Sequence, residues 1–168
     1  MFPRNQYSPE CIDVCRDLDI TSYRGNQKFF AYDTNDDRAY NAILLRLLRA
    51  ADTYLNISGS NTYTLDESGR RDGVMNVSAS FFLRPYSPRM RFFEALRARR
   101  LKAAMRRAAR RKEIVHLWWH PHNFGTHLQE NLAFLEGILR TYRSLQSSRG
   151  MASLSMGELA AHGQEAAA

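Results

Sequence analysis

The sequence predicts an α/β protein with parallel strands, and three observations lead to that class. Helical and strand-like segments alternate along the 168 residues, which is typical of parallel sheets. Apolar residues recur at helical spacing in the longer segments, whereas 114–119 is a short apolar run suited to a buried strand. The strands are too few to close a barrel unaided, and the length suits one domain.

The individual elements follow from local signals. Ser8, Pro9 and Glu10 are typical of a helix start, and helical spacing continues to about residue 18. The pattern from Ser155 to Glu158 is typical of a capping box that opens a short last helix. The other predicted elements are a strand at 20–23, a loop at 26–38, a helix with a clean apolar stripe at 38–55, weak strands at 62–65 and 77–83, a basic helix at 88–112, a strand at 113–119 and a helix at 126–147. We expect one domain at 1–162 and a disordered tail at 163–168.

The net charge of +7 comes from one segment. Residues 89–112 hold eleven of the twenty-four Lys and Arg and a single acid, which leaves a net charge of −3 for the rest of the chain. We interpret the basic helix as a solvated face, or as a face that pairs with acidic neighbours, and expect no nucleic-acid partner.

Hydropathy gives no sign of a membrane segment. No apolar run approaches the roughly 18 residues that a membrane span needs. The first residues lead into polar and acidic positions and not into an apolar stretch. We therefore expect a cytoplasmic protein with no membrane partner.

The segment 114–125 carries the candidate chemistry, because an apolar strand there ends in a histidine-rich turn. Alternation along a strand could place His116, His120 and His122 on one face, as a zinc site would require. Pro121 argues against that arrangement, because it interrupts the strand between the last two histidines. A single working histidine, His120, suits general acid or base catalysis. We interpret His116 and His122 as structural side chains.

Several motifs together resemble one enzyme family. They are FPRNQ at 2–6, YRGN at 23–26, FLRPY at 82–86, HLWWHPHNFG at 116–125 and SLSMGEL at 153–159. In this combination the chain resembles the polysaccharide deacetylases of the NodB-homology type, in the branch associated with bacterial surface-polysaccharide genes. The resemblance implies a distorted (β/α) barrel and the metal-dependent removal of acetyl groups from amino sugars or acylated glycans.

The resemblance also implies roles for particular residues. Arg4 matches the arginine that orients the catalytic-base aspartate, and His120 matches the histidine that is the general acid to the leaving amine. The expected substrate-binding residues, with the tryptophans as walls for a sugar or an acetyl methyl group, are Trp118, Trp119, His122 and Asn123.

Two motifs of the family are missing from their expected place in this sequence. The catalytic Asp-Asp pair and the His-x-x-x-His metal ligands of the family precede the arginine motif, at which this chain begins. The one His-x-x-x-His of this sequence, His116 to His120, lies after that motif, in the wrong place and order. We therefore expect a partial (β/α) barrel without its N-terminal strands, inactive alone. Its divalent, zinc-like metal would have its ligands outside the chain. The expected partners are an acetylated glycan and a second copy bound through exposed barrel edges. The alternative is a non-catalytic remnant that binds a glycan or another chain.

Overall fold

The computed structural model describes residues 7–32, 43–71 and 73–165. The helices are α1 (Pro9–Asp17), α2 (Ile43–Tyr54), α3 (Glu94–Arg111), α4 (Leu128–Arg149) and α5 (Met156–Glu165), and the strands are β1 (Ser22–Tyr23), β2 (Arg70–Arg71), β3 (Val74–Asn76), β4 (Phe81–Phe82) and β5 (Leu117–Trp118). Short 3₁₀ helices cover Phe30–Tyr32, Pro88–Phe93 and Pro121–Phe124. Within this part of the chain, no helix is both long and apolar enough to cross a lipid bilayer.

The helix starts and ends in the structure can be compared with those that the sequence predicted. In the predicted capping box, the N–H of Ser155 donates to Glu158 Oε2 at 2.7 Å, and the N–H of Glu158 donates to Ser155 Oγ at 3.2 Å. Helix α1 begins at Pro9 as predicted, but Ser8 makes no side-chain cap hydrogen bond. Helix α5 ends at Glu165, inside the segment 163–168 for which we expected a disordered tail.

The strands are shorter than predicted and form two small sheets. Strand β3 pairs in parallel with β1 and antiparallel with β2, and β4 pairs in parallel with β5. The consecutive N–H groups of Ser80 and Phe81 both donate to the carbonyl of His116, so regular pairing with the β5 segment is interrupted where β4 begins. Neither of these sheets closes into a barrel within the described residues. The partial NodB-type barrel stays a prediction.

Gly25, which follows β1, lies close to a side chain of the neighbouring strand. A Cβ atom on Gly25 would lie 2.3 Å from Oδ1 of Asn76, the last residue of β3. A larger residue at position 25 would therefore require the Asn76 side chain to move. The YRGN motif thus has its glycine where the Asn76 side chain fills the adjacent space.

The main core lies between the β4–β5 pair and helices α3 and α4. Its buried members are Phe81, Leu83, Leu101, Ala104, Met105, Phe124, Ile138 and Leu145. Helices α3 and α4 pack against each other more extensively than any other two elements. This packing fixes the position of β5 and of the turn that follows it.

Helix α2 does not bury the apolar face that an amphipathic helix usually packs against the core. Its first apolar residues, Ile43, Leu44 and Leu47, are exposed, whereas Arg49 and Asp52 are buried. The physical reason is a polar network beneath the helix. Its central contact is an ion pair between Asp52 and Arg100 of α3 at 3.0 Å.

The basic helix α3 uses several of its arginines inside the protein. Arg97 and Arg100 are buried, and Arg97 pairs with Glu94 and donates to the carbonyl of Arg84. Arg107 pairs with Glu113 at 3.0 Å. Pairing with acids thus accounts for part of the charge on this helix.

Candidate functional site

The histidine-rich turn lies at the carboxyl end of β5. Side chains from three strand ends meet there, because β4 and β5 run in parallel and Arg24 follows β1. We define the His120 cluster as Arg24, Phe82, Trp118, His120 and His122. Carboxyl ends of parallel strands are where α/β folds usually place reactive side chains.

Trp118 is the centre of the His120 cluster. Its ring lies 4.4 Å from the Phe82 ring and 5.3 Å from the His120 ring, which stands perpendicular to it at 89°. The guanidinium carbon of Arg24 lies 3.9 Å from the centroid of the Trp118 ring, within the range of a cation–π interaction. These contacts restrain the orientation of the indole beside His120.

His120 and His122 are exposed and stacked on each other. Their ring centroids are 5.3 Å apart and the rings are inclined by 25°. The 3₁₀ helix that starts at Pro121 produces this geometry, and the N–H of Asn123 donates to the carbonyl of His120 at 3.0 Å. Strand β5 already ends at Trp118, and the 3₁₀ helix begins at Pro121, between the two histidines, where the sequence predicted that strand geometry would be interrupted. Because His120 is exposed, its imidazole can exchange protons with a bound ligand or with solvent.

Trp119 lies apart from the His120 cluster. It directly follows Trp118, the last residue of β5, and successive side chains of an extended chain point to opposite faces. Its ring stacks on Phe124 at 6.1 Å and 18°, and it lines a separate crevice of about 430 Å³ beside α4. The structure thus brings Trp118, His120 and His122 together and separates Trp119 from them.

Two further predicted residues have different outcomes. Asn123 is half-buried in the turn next to His120, where its backbone N–H binds the histidine carbonyl. Asn123 thus supports the turn through its backbone. Arg4 lies outside the described residues, so its predicted role stays a prediction.

His116 has a structural environment. Its Nδ1 lies 3.3 Å from the carbonyl oxygen of Val77, and burial lowers the pKa of its imidazole. A neutral, hydrogen-bonded ring in this position supports the interpretation of His116 as structural.

A metal centre does not fit the side chains that the described residues bring together. Zinc sites use three or four His, Cys or carboxylate ligands. No group of three such side chains within residues 7–32, 43–71 and 73–165 is placed to hold an ion. The cluster supplies two imidazoles and no carboxylate, so we assign it no metal-dependent step.

Arg24 is a candidate site residue that the sequence did not single out. It is buried, with 7% of its surface exposed, and burial lowers the pKa of its guanidinium. A charged residue directly after a strand was the available signal. The contact of Arg24 with Trp118 could not be read from the sequence, because it depends on how the segment after β1 lies relative to β5.

The comparisons with known proteins add no assignment. No family model, curated protein or solved structure matches the chain. The likeness to polysaccharide deacetylases therefore depends on the sequence motifs alone.

Proposed function

We propose that the chain is the carboxyl-terminal part of a metal-dependent carbohydrate deacetylase domain, and that the His120 cluster contacts the acetylated sugar. One observation supports this proposal above the others. An exposed histidine stands perpendicular to a fixed tryptophan at the carboxyl end of a parallel strand. The motif resemblance and this position both favour His120 as the residue that acts on the substrate. The proposed setting is the cytoplasmic synthesis of a bacterial surface polysaccharide.

Sugar recognition would depend mainly on the two exposed imidazoles of the cluster. Phe82 and Arg24 pack against Trp118, so a sugar would contact the part of the indole that they leave uncovered, together with the His120 ring. Imidazole nitrogens can hydrogen-bond the hydroxyl and amide groups of a sugar. In this arrangement Arg24 is a positioning residue that keeps the indole in place.

The chemical role of His120 is protonation of the leaving group. In hydrolysis of an N-acetyl group, water adds to the carbonyl carbon and the C–N bond then breaks. The His120 imidazolium donates its proton to the departing nitrogen, which leaves as the amine while the acyl group becomes acetate. Activation of the water requires a base and metal ligands that the cluster does not contain. We therefore expect no turnover by this chain alone.

A non-catalytic role in glycan binding is the second candidate. It is favoured by the composition of the His120 cluster, which combines two aromatic rings, two imidazoles and one guanidinium with no carboxylate. Such a surface can bind a sugar without reacting with it. The two functions differ in whether acetate is ever released.

Acetate release from an N-acetylglucosamine tetramer, in the presence of zinc, tests the proposal. The chain alone should release none. Joined to a polypeptide that supplies the missing Asp-Asp and His-x-x-x-His motifs, it should release acetate. His120→Ala should abolish that activity, whereas His162→Ala on α5, outside the cluster, should retain it. Full activity of the His120→Ala form would contradict the assignment, and sugar binding without turnover in both forms would favour the second candidate.

A further inference from the structure

A polar groove runs between α3 and α4, on elements that do not belong to the His120 cluster. It has a volume of about 370 Å³. The residues that line it and matter for its chemistry are Lys102 and Arg106 of α3 and Gly137, Arg140, Thr141 and Ser144 of α4. This inference is independent of the proposed deacetylase function.

The charge of the groove is positive and largely uncompensated. Lys102, Arg106 and Arg140 contribute three cations, and the neighbouring acid is Glu136, which binds Arg140 at 2.9 Å. Within the described part of the chain, Lys102 and Arg106 have no ion pair. The net charge of the four groups is therefore +2.

Ion pairs within the protein account for several other arginines of α3. Arg97 and Arg100 are buried in ion pairs with Glu94 and Asp52, and Arg107 binds Glu113. Internal pairing explains those side chains, but it explains neither Lys102 nor Arg106. Arg99 and Arg110 also form no ion pair within the described residues, but neither of them lines the groove. Lys102 is half-buried in the groove wall, where an ammonium group benefits most from an anionic partner.

Gly137 keeps the groove open. A Cβ atom at this position would lie 3.7 Å from Lys102 Nζ, so a longer side chain would occupy the space beside the ammonium group. Glycine disfavours a helix interior, and Gly137 lies well within Leu128–Arg149. Thr141 places a hydroxyl one turn further on, and this hydroxyl donates to the Gly137 carbonyl at 3.1 Å.

We propose that the α3–α4 groove binds an oxyanion with at least two negative charges, such as the phosphate group of an oligophosphate or of a phosphate ester. The groove charge of +2 matches a dianion. Arginine presents paired donors to two phosphate oxygens, and lysine adds a compact positive charge. The volume accommodates one phosphate group together with part of the molecule that carries it.

Isothermal titration calorimetry on the full chain tests this site with two probes. Inorganic pyrophosphate represents a free oligophosphate, and glucose 6-phosphate represents a phosphate ester. Lys102→Gln and Arg106→Gln should each weaken binding of the better probe by about tenfold, because each removes a charge-assisted hydrogen bond. Glu136→Gln should strengthen binding, because it removes the acid beside Arg140.

Arg91→Gln is the matched control. It removes the same charge from the same basic segment, but Arg91 stacks over Phe92 and does not line the groove. The affinity of the Arg91→Gln variant for the better probe should stay within about twofold of that of the unsubstituted chain. Three results would overturn the proposal: binding of neither probe, an equal loss in Arg91→Gln and the groove variants, or no loss in either groove variant.

Discussion

Substitution of Asp52 by Asn is expected to destabilise the protein strongly. The Asp52 side chain is only 1% exposed and accepts four hydrogen bonds. The donors are Tyr32 Oη at 2.8 Å, the Ser58 N–H at 2.7 Å, Ser58 Oγ at 2.9 Å and Arg100 Nη2 at 3.0 Å. Asparagine keeps the size of the side chain, but it removes the charge and turns one acceptor into a donor.

The size of the loss in unfolding free energy depends on the contacts that Arg100 keeps in the Asp52→Asn variant. Removing one partner of a buried ion pair costs about 3–5 kcal/mol, because the other charge stays buried. Arg100 would keep its hydrogen bonds to Ser58 Oγ at 2.7 Å and to the Gly59 carbonyl at 3.3 Å. These contacts place the expected loss near the lower end, at about 3 kcal/mol.

Urea unfolding followed by circular dichroism measures this loss. The matched control is Asp13→Asn, which removes a carboxylate from an exposed pair with Arg16 at 3.3 Å. Exposed pairs contribute little, so the control should unfold almost as the unsubstituted chain does. Equal unfolding midpoints for Asp52→Asn and Asp13→Asn would refute the interpretation of the buried network.

Three further predictions concern other parts of the fold. Burial lowers the pKa of His116, so the stability it contributes is full above about pH 6.5 and is lost as the pH falls from there toward its lower folded pKa. His116→Gln should flatten this part of the profile in urea unfolding. Ser155→Ala removes a capping-box acceptor and should cost about 1 kcal/mol in the same assay, whereas Ser153→Ala should cost little. The exposed residues Ile43, Leu44 and Leu47 predict concentration-dependent self-association, which Leu47→Glu should reduce in sedimentation velocity.

Each of these predictions has a contrary result. Stability that does not fall on acidification, or that falls equally in His116→Gln, would count against a buried neutral imidazole. Equal stability of the Ser155→Ala and Ser153→Ala variants would show that the capping box contributes nothing. A monomer at all concentrations would show that the exposed face of α2 does not drive association.

The elements that the sequence predicted well depend on contacts between near neighbours. Helix α1 starts at its proline, and the capping box of α5 forms between residues three apart. The orientation of α2 depends instead on Asp52 and Arg100, which are 48 positions apart. No local pattern shows that an aspartate near the end of a helix has a buried partner, so the apolar stripe alone was a poor guide.

In the candidate site, too, the features that depend on neighbouring residues could be predicted, and those that depend on distant contacts could not. His120 and Trp118 could be identified because they end an apolar strand, which is a local property. Trp118 and Trp119 were predicted to lie in one site, although alternation along a strand puts neighbouring side chains on opposite faces. Arg24 could not be joined to Trp118, because their contact depends on how β1 lies relative to β5. Strand lengths were overestimated since pairing between distant segments sets them.

The binding of N-acetylglucosamine tetramer, followed by tryptophan fluorescence, tests the central claim most directly. The chain has only two tryptophans, so Trp118→Phe and Trp119→Phe each leave a single reporter. The tetramer should change the emission of Trp118 in the Trp119→Phe variant, and the fully deacetylated tetramer should bind at least about tenfold more weakly. A response confined to Trp119, equal affinity for the two tetramers, or no binding would contradict the proposal that the His120 cluster recognises an acetylated glycan.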